Sequence, residues 1–310
     1  MSVIENALQK LRRTGAAASM RDVAADALNE SGSTRSASRG SEPTYCTRQI
    51  SVDLQDLRAA GYLPEPARER LFADCYREIK RPVIHRAIAA EATADQRLIM
   101  VTSALPGEGK TFTAVNLALS IGREHDVSVL LVDADLPKSE VSRIFGVYGI
   151  RGLLDALSDT DTDAESLVLR TDIPGLEIMA SGTGASTAGT AEHAAELIAS
   201  SRMGQVAARL SLRNPRRLVL FDSPPLLVSS EARALVQIPG QVLLVTRSGQ
   251  TPQQALLDAI AVIDKHRLHG LVLNDAHLSA EGRYYYGYGY GSARGKGAES
   301  TDATQVTTKD

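Results

Sequence analysis

The chain has 310 residues, 34 basic against 37 acidic groups, 43% hydrophobic residues and no Trp, a globular composition long enough to bury a substantial core. A net charge of −3 excludes a broadly basic surface for nucleic acid or anionic lipid, so any such association must be local or brought by a partner. Cys46 and Cys75 lie in no CxxC arrangement, which excludes a disulfide framework and a zinc cluster and fits a cytoplasmic setting; no apolar run approaches the ~20 residues of a bilayer-spanning helix, and no signal-peptide core is present.

In chain order, Val3, Ile4, Ala7, Leu8 and Leu11 fall at helical spacing and predict an amphipathic helix over 1–13, either a fraying end or a docking peptide. Residues 14–44, rich in Ala, Ser, Gly and Arg, cannot offset the entropy of ordering and read as a flexible linker. A helical lead-in over 45–96 follows, with helices expected over Val52–Ala60, stopped by Gly61, and from Pro66 to Ala90. From 97 to 276 short β-rich runs alternate with helical stretches. Strands are expected at Leu98–Thr102, Ser128–Val132, Leu176–Met179, Leu218–Phe221, Gln241–Val245 and Gly270–Leu273. Helices are expected at Thr111–Arg123, Ala195–Leu212, Ser229–Val236 and Pro252–Lys265. That alternation predicts an α/β fold, a mainly parallel sheet with helices on both faces. The tail over 277–310 is Gly, Ser, Thr and Tyr without apolar periodicity.

Directly after the first of these strands, Ala104-Leu105-Pro106-Gly107-Glu108-Gly109-Lys110-Thr111 leads into a helix, the strand–loop–helix context of a phosphate-binding loop. Glycines let backbone amides converge on phosphate oxygens at a helix N-terminus, where the helix dipole favours an anion. Lys110 would reach the β- and γ-phosphates and the Thr111 hydroxyl would ligate Mg2+. Ala104 stands where the pattern opens with Gly, a small change tolerated where no positive φ is needed. Two further strands deliver Asp133 and Asp135, and then Asp222 within Phe221-Asp222-Ser223-Pro224-Pro225, at the sheet edge where ligands bind. One Asp after a strand is commonly a turn or cap residue; three beside a phosphate loop argue for Mg2+. Tyr284, Tyr285, Tyr286, Tyr288 and Tyr290 crowd a Gly-rich stretch, either sticky low-complexity residues or substrates. His266 and His269 lie i, i+3 at a helix end and do not form a metal pair.

Taken together, the phosphate loop, Val132-Asp133-Ala134-Asp135, the Phe221–Pro225 element, Leu271-Val272-Leu273-Asn274 and the C-terminal tyrosines resemble the bacterial tyrosine autokinases of exopolysaccharide and capsule synthesis. Tyr76–Pro82 and Glu196–Met203 are similar to the stand-alone kinases of exosortase-associated loci. The resemblance implies a P-loop NTPase fold of the MinD/ParA-like type and ATP with Mg2+ as cofactors. Gly107, Glu108, Gly109, Lys110, Thr111, Phe112 and Asn274 would bind the nucleotide, Asn274 near the base. Thr111, Asp135 and Asp222 would hold the metal, with Asp133 orienting or deprotonating the incoming tyrosine. The five tail tyrosines would be phosphorylated in trans by a neighbouring subunit.

The resemblance further implies a ring in which a charged helix joins subunits, here Asp74, Arg77 and Lys80, which otherwise read as a solvated face. It also implies recruitment to the inner face of the plasma membrane by a polysaccharide co-polymerase or chain-length adaptor, a cognate tyrosine phosphatase, and no nucleic-acid partner. Two departures stand out: Lys80 occupies a position where the family commonly has Arg, and Leu136-Pro137-Lys138-Ser139 replaces the usual basic pair after the acidic motif. The competing expectation is a positioning or partitioning switch ATPase, which shares the sheet but carries a second Lys where this chain has Leu105.

Overall fold

The β-rich runs pair into one sheet because each alternates its apolar side chains between two covered faces. The computed structural model describes residues 48–183 and 190–276; the expected N-terminal helix, the linker and the tyrosine cluster lie outside them. Strands β1 (Gln49–Ile50), β2 (Leu98–Ser103), β3 (Ser128–Asp133) and β4 (Leu169–Thr171) are followed by β5 (Leu176–Met179), β6 (Arg217–Asp222), β7 (Gln241–Arg247) and β8 (Leu268–Asn274). Their spatial order is β1-β4-β5-β3-β6-β2-β7-β8. Every neighbouring pair is parallel except β4 with β5.

The period of two sorts the core. Leu98, Met100, Leu130, Val132, Val219 and Phe221 enter one buried cluster, while Ile99, Val101, Val129, Leu131, Leu218 and Leu220 enter the other. The second cluster is covered by α1 (Leu54–Ala59), α2 (Glu69–Ile88), α3 (Lys110–Gly122) and the short α4 (Glu140–Ile144), which contribute Leu57, Tyr76, Val83, Val115, Leu117 and Val141. Over the first lie α5 (Leu153–Ser158), α6 (Thr190–Ala199), α7 (Ser201–Arg213), α8 (Ser230–Leu235) and α9 (Gln253–Val262). The lead-in helices thus share a core with the phosphate-loop helix rather than standing off from it. Among the described residues, no helix is long and apolar enough to cross a membrane.

Several expectations need correction. The single helix expected over Ala195–Leu212 is two, broken at Ser200, whose backbone is extended (φ −75°, ψ 157°) and whose hydroxyl donates to the Leu197 carbonyl at 2.6 Å. Helical periodicity continues across the break because α6 and α7 both face the same apolar cluster. Strands β1 and β4 and helices α4 and α5 were not anticipated; all four are too short to show a period.

Candidate active site

The phosphate loop is set by backbone geometry. Gly107 (φ +82°) and Gly109 (φ +89°) both take left-handed conformations, which β-carbon-bearing residues resist. Ala104, buried and without a positive φ, fits in place of Gly. The first helical return bond runs from the Thr113 amide to the Gly109 carbonyl at 2.9 Å, so the amides of Lys110, Thr111 and Phe112 have no partner within the helix and suit an anion. Buried Glu108 pins the loop: its carboxylate accepts from the Leu105 amide at 2.7 Å and from the Thr251 hydroxyl. Asn274, at the end of β8, donates to the Glu108 carbonyl at 3.0 Å. A β-carbon on Gly109 would lie 2.0 Å from the Asn274 amide nitrogen, so that approach requires glycine.

Strand register delivers the acids. Asp133 pairs with Asp222 across β3 and β6, and both are fully buried. Asp133 accepts from the Ser142 amide at 2.7 Å and the Ser142 hydroxyl at 2.6 Å. Burial nevertheless pushes its carboxyl up to about 6. Asp222 is raised further, by complete burial and then by the neighbouring Asp133 charge. Asp135, 3% exposed, is raised by burial, with the Lys110 and Lys138 charges opposing.

This donor set fits a divalent cation. The Thr111 hydroxyl lies 2.7 Å from Asp222 and 3.1 Å from Glu140, yet carries one proton to share between two carboxylates. The Oδ1 atoms of Asp133 and Asp222 are buried without a hydrogen-bond partner, a costly state that a cation relieves. Thr111, Asp135 and Asp222 are the residues that would hold Mg2+, completed by phosphate oxygens and water as is usual for that ion.

Other expected residues fall less centrally. The Phe112 ring packs edge-on against Phe72, with centroids 5.8 Å apart, leaving its backbone amide to face a ligand. Asp74 and Arg77 are exposed and paired with each other at 2.6 Å. Lys80, expected with them at a subunit interface or else on a solvated face, is 8% exposed and donates within its own chain to the Ser120 carbonyl and Glu124, both at 2.7 Å.

Three site residues were missed by the sequence reading. Ser142 holds Asp133; Glu140 meets Thr111 and accepts from the Tyr62 hydroxyl. Tyr62, half-buried, has its phenol held above its ordinary pKa by burial and by Glu140. The available signal for Glu140 was a Ser-Glu pair, a helix-start pattern, shortly after Asp135; nothing local marks Tyr62.

A glycine-shaped phosphate loop, Lys110 and Thr111 at its helix, and three carboxylates on adjacent strand ends define a P-loop nucleoside-triphosphate site. No protein-family model matches the chain. It is 32% identical over 201 residues to tyrosine-protein kinase YwqD of Bacillus subtilis, covering 63% of this chain and 81% of that one. It is 32% identical over 220 residues to the putative tyrosine-protein kinase EpsB of Ralstonia solanacearum, covering 68% of this chain but 28% of that one. Among solved structures it is similar to the VpsO kinase domain at 30% identity and a TM-score of 0.51, covering 66% of this chain and 99% of that domain. The BceF tyrosine kinase domain aligns at 27% identity and a TM-score of 0.56, covering 74% and 92%. The chain belongs to the family of bacterial tyrosine-protein kinases.

Proposed function

We propose that this tyrosine kinase moves the γ-phosphoryl group of ATP onto the tyrosines at 284–290 of a second copy of the chain, and that the charge so added regulates exopolysaccharide assembly. The observation that carries the reading is the convergence of Thr111, Asp133, Asp135 and Asp222 on one phosphate loop, in a chain that also holds five clustered tyrosines. Bound Mg2+ would neutralise phosphate charge and help align the transfer in line. The loop amides and Lys110 bind the phosphates, while Asp133, held by Ser142 with one oxygen free, is positioned to orient or take the proton of an incoming phenol. A phenol of ordinary pKa ~10 needs such an acceptor as phosphorus is attacked. Asn274 would sit by the base, and Asp74 and Arg77 would face a neighbouring subunit in a ring. Family resemblance supports a membrane co-polymerase or chain-length adaptor, a cognate phosphatase and recruitment to the inner membrane face.

The test is peptide mass spectrometry of the chain incubated with Mg2+ and ATP, beside Lys110→Met. Phosphotyrosine within 284–290, absent from the variant, is the expected result. ATP hydrolysis without phosphotyrosine, with an adaptor segment present, would replace this reading with a switch ATPase.

A further inference from the structure

Glu140 reaches the phosphate loop through a strained turn. Ser139, immediately before it, is buried and left-handed (φ +47°), a conformation that a residue with a β-carbon holds only where its surroundings enforce it. Here they do: the Ser139 amide returns to the Asp135 carbonyl at 2.7 Å, and its hydroxyl donates to the Leu136 carbonyl at 2.9 Å. The turn opens α4 with one Glu140 oxygen 3.1 Å from the Thr111 hydroxyl, while the other accepts from the Tyr62 hydroxyl. Tyr62 is fixed in turn. Gly61 reverses the chain after α1 in the left-handed region (φ +82°), and Asn116 of α3 donates to the Tyr62 carbonyl at 2.7 Å. A carboxylate serving only as a helix-start charge needs neither restraint; this one is aimed from one side and held from the other.

We infer that Glu140 is a positioning residue for the cation site: it accepts the hydrogen bond of the Thr111 hydroxyl when that oxygen ligates Mg2+, and Tyr62 keeps it in place to do so. The inference rests on the reading of Thr111 as a ligand of the nucleotide-bound metal. A hydroxyl has one proton and two lone pairs. The Thr111 hydroxyl has Asp222 at 2.7 Å and Glu140 at 3.1 Å, and Asp222 is one of the residues that would turn its charge to the metal. Glu140 is then the acceptor left for the proton, and a charge-assisted bond in that direction leaves a Thr111 lone pair for the cation. With its other oxygen taken by Tyr62, Glu140 acts through Thr111 rather than as a ligand. A residue that precedes β2 thereby helps to complete a site built on β2, β3 and β6.

The experiment uses the full chain and reads cation binding itself, with Mn2+ as the paramagnetic probe and ADP, which has no γ-phosphate to transfer. Electron paramagnetic resonance gives the Mn2+ affinity of the ADP complex in the parent, Glu140→Ala, Glu140→Gln and Tyr62→Phe; calorimetry in chelator gives the affinity for ADP alone. Glu140→Ala should bind Mn2+ about tenfold more weakly while its affinity for ADP in chelator stays at the parent value. Glu140→Gln still offers an acceptor oxygen and should return to within about threefold of the parent. Tyr62→Phe should lose less than Glu140→Ala. Unchanged Mn2+ affinity in Glu140→Ala would overturn the inference, and so would an equal loss in chelator, which would make Glu140 a support of the loop alone. A Glu140→Gln loss as large as that of Glu140→Ala would also overturn it, since charge rather than an acceptor oxygen would then be what counts. A parent chain whose ADP complex binds no Mn2+ would overturn both the inference and the metal reading beneath it.

Discussion

Asp133 and Asp222 stand opposite each other in register at the carboxyl ends of β3 and β6, both fully buried and each with one oxygen lacking a hydrogen-bond partner. Two carboxylates out of water in one place are a standing cost to the nucleotide-free fold. The strand pairing imposes it, and either a proton or a cation relieves it.

The pH dependence follows in sign. Asp133 is raised from 3.8 to about 6, so the folded chain holds this proton more tightly than the unfolded one. Its contribution favours folding below the unfolded value and is lost as pH rises to about 6, a change of roughly 3 kcal/mol for this group. The nucleotide-free chain in a chelator should melt lower near pH 7 than near pH 5, and Asp133→Asn should flatten that difference while cutting phosphotransfer by about a hundredfold or more. Thermal melts at both pH values check this; equal pH dependence in chain and variant would count against it.

Gly109→Ala should fail for two separable reasons. Its φ of +89° costs an alanine ~1–2 kcal/mol, and the new β-carbon would meet Asn274 at 2.0 Å. Combining Gly109→Ala with Asn274→Ala removes the clash and leaves the backbone cost. The loss of nucleotide affinity caused by Gly109→Ala, measured calorimetrically, should therefore be smaller in an Asn274→Ala background than in the parent chain, but not zero. No loss in that background would show that the backbone conformation is of no consequence.

The legibility of this protein divides along physical lines. The central strands and the phosphate loop could be read because buried parallel strands are continuous apolar runs and the loop's glycines sit at fixed spacing. Asp133, Asp135 and Asp222 were legible because each ends such a run. Tyr62 and Glu140 were not, since their meeting spans 78 residues and depends on how α1 reverses at Gly61. Lys80 misled for a related reason: its i, i+3, i+6 spacing with Asp74 and Arg77 reads as one exposed charged face. Yet the long lysine stem turns inward to reach Ser120 and Glu124, something no spacing on a single helix reveals.

Lys80 and Arg77 should therefore separate when each is removed. Lys80→Met strands the Ser120 carbonyl and unpairs Glu124, whose carboxyl the Lys80 hydrogen bond holds below its ordinary pKa. It should lower the thermal midpoint by an amount equivalent to ~1–3 kcal/mol, equally in dilute and concentrated protein. Arg77→Ala removes a surface pair with Asp74 and should stay within about 0.5 kcal/mol, acting instead on assembly mass. Melting curves and light scattering on both variants check the split. A stability loss for Lys80→Met that appears only in concentrated, assembled protein would instead place its contribution in the assembly.

Glu108 offers the sharpest test of whether the phosphate loop is formed in advance of the nucleotide. Its two oxygens serve different elements, one taking the Leu105 amide at 2.7 Å within the loop and the other the Thr251 hydroxyl from the turn after β7. Thr251 in turn accepts from the Arg247 amide at 2.8 Å, so the chain of bonds ties the loop to the sheet. Glu108→Ala leaves a half-buried amide and a hydroxyl without their acceptor, costing ~1–3 kcal/mol, and that loss should surface as an about 5- to 100-fold weaker affinity for ATP. Glu108→Gln keeps an acceptor for the Leu105 amide and should recover a large part of the loss. Titration calorimetry of the two variants distinguishes a carboxylate that shapes the loop from one that merely fills space: similar affinities in Glu108→Ala and the parent would mean that bound phosphate, rather than Glu108, orders those amides.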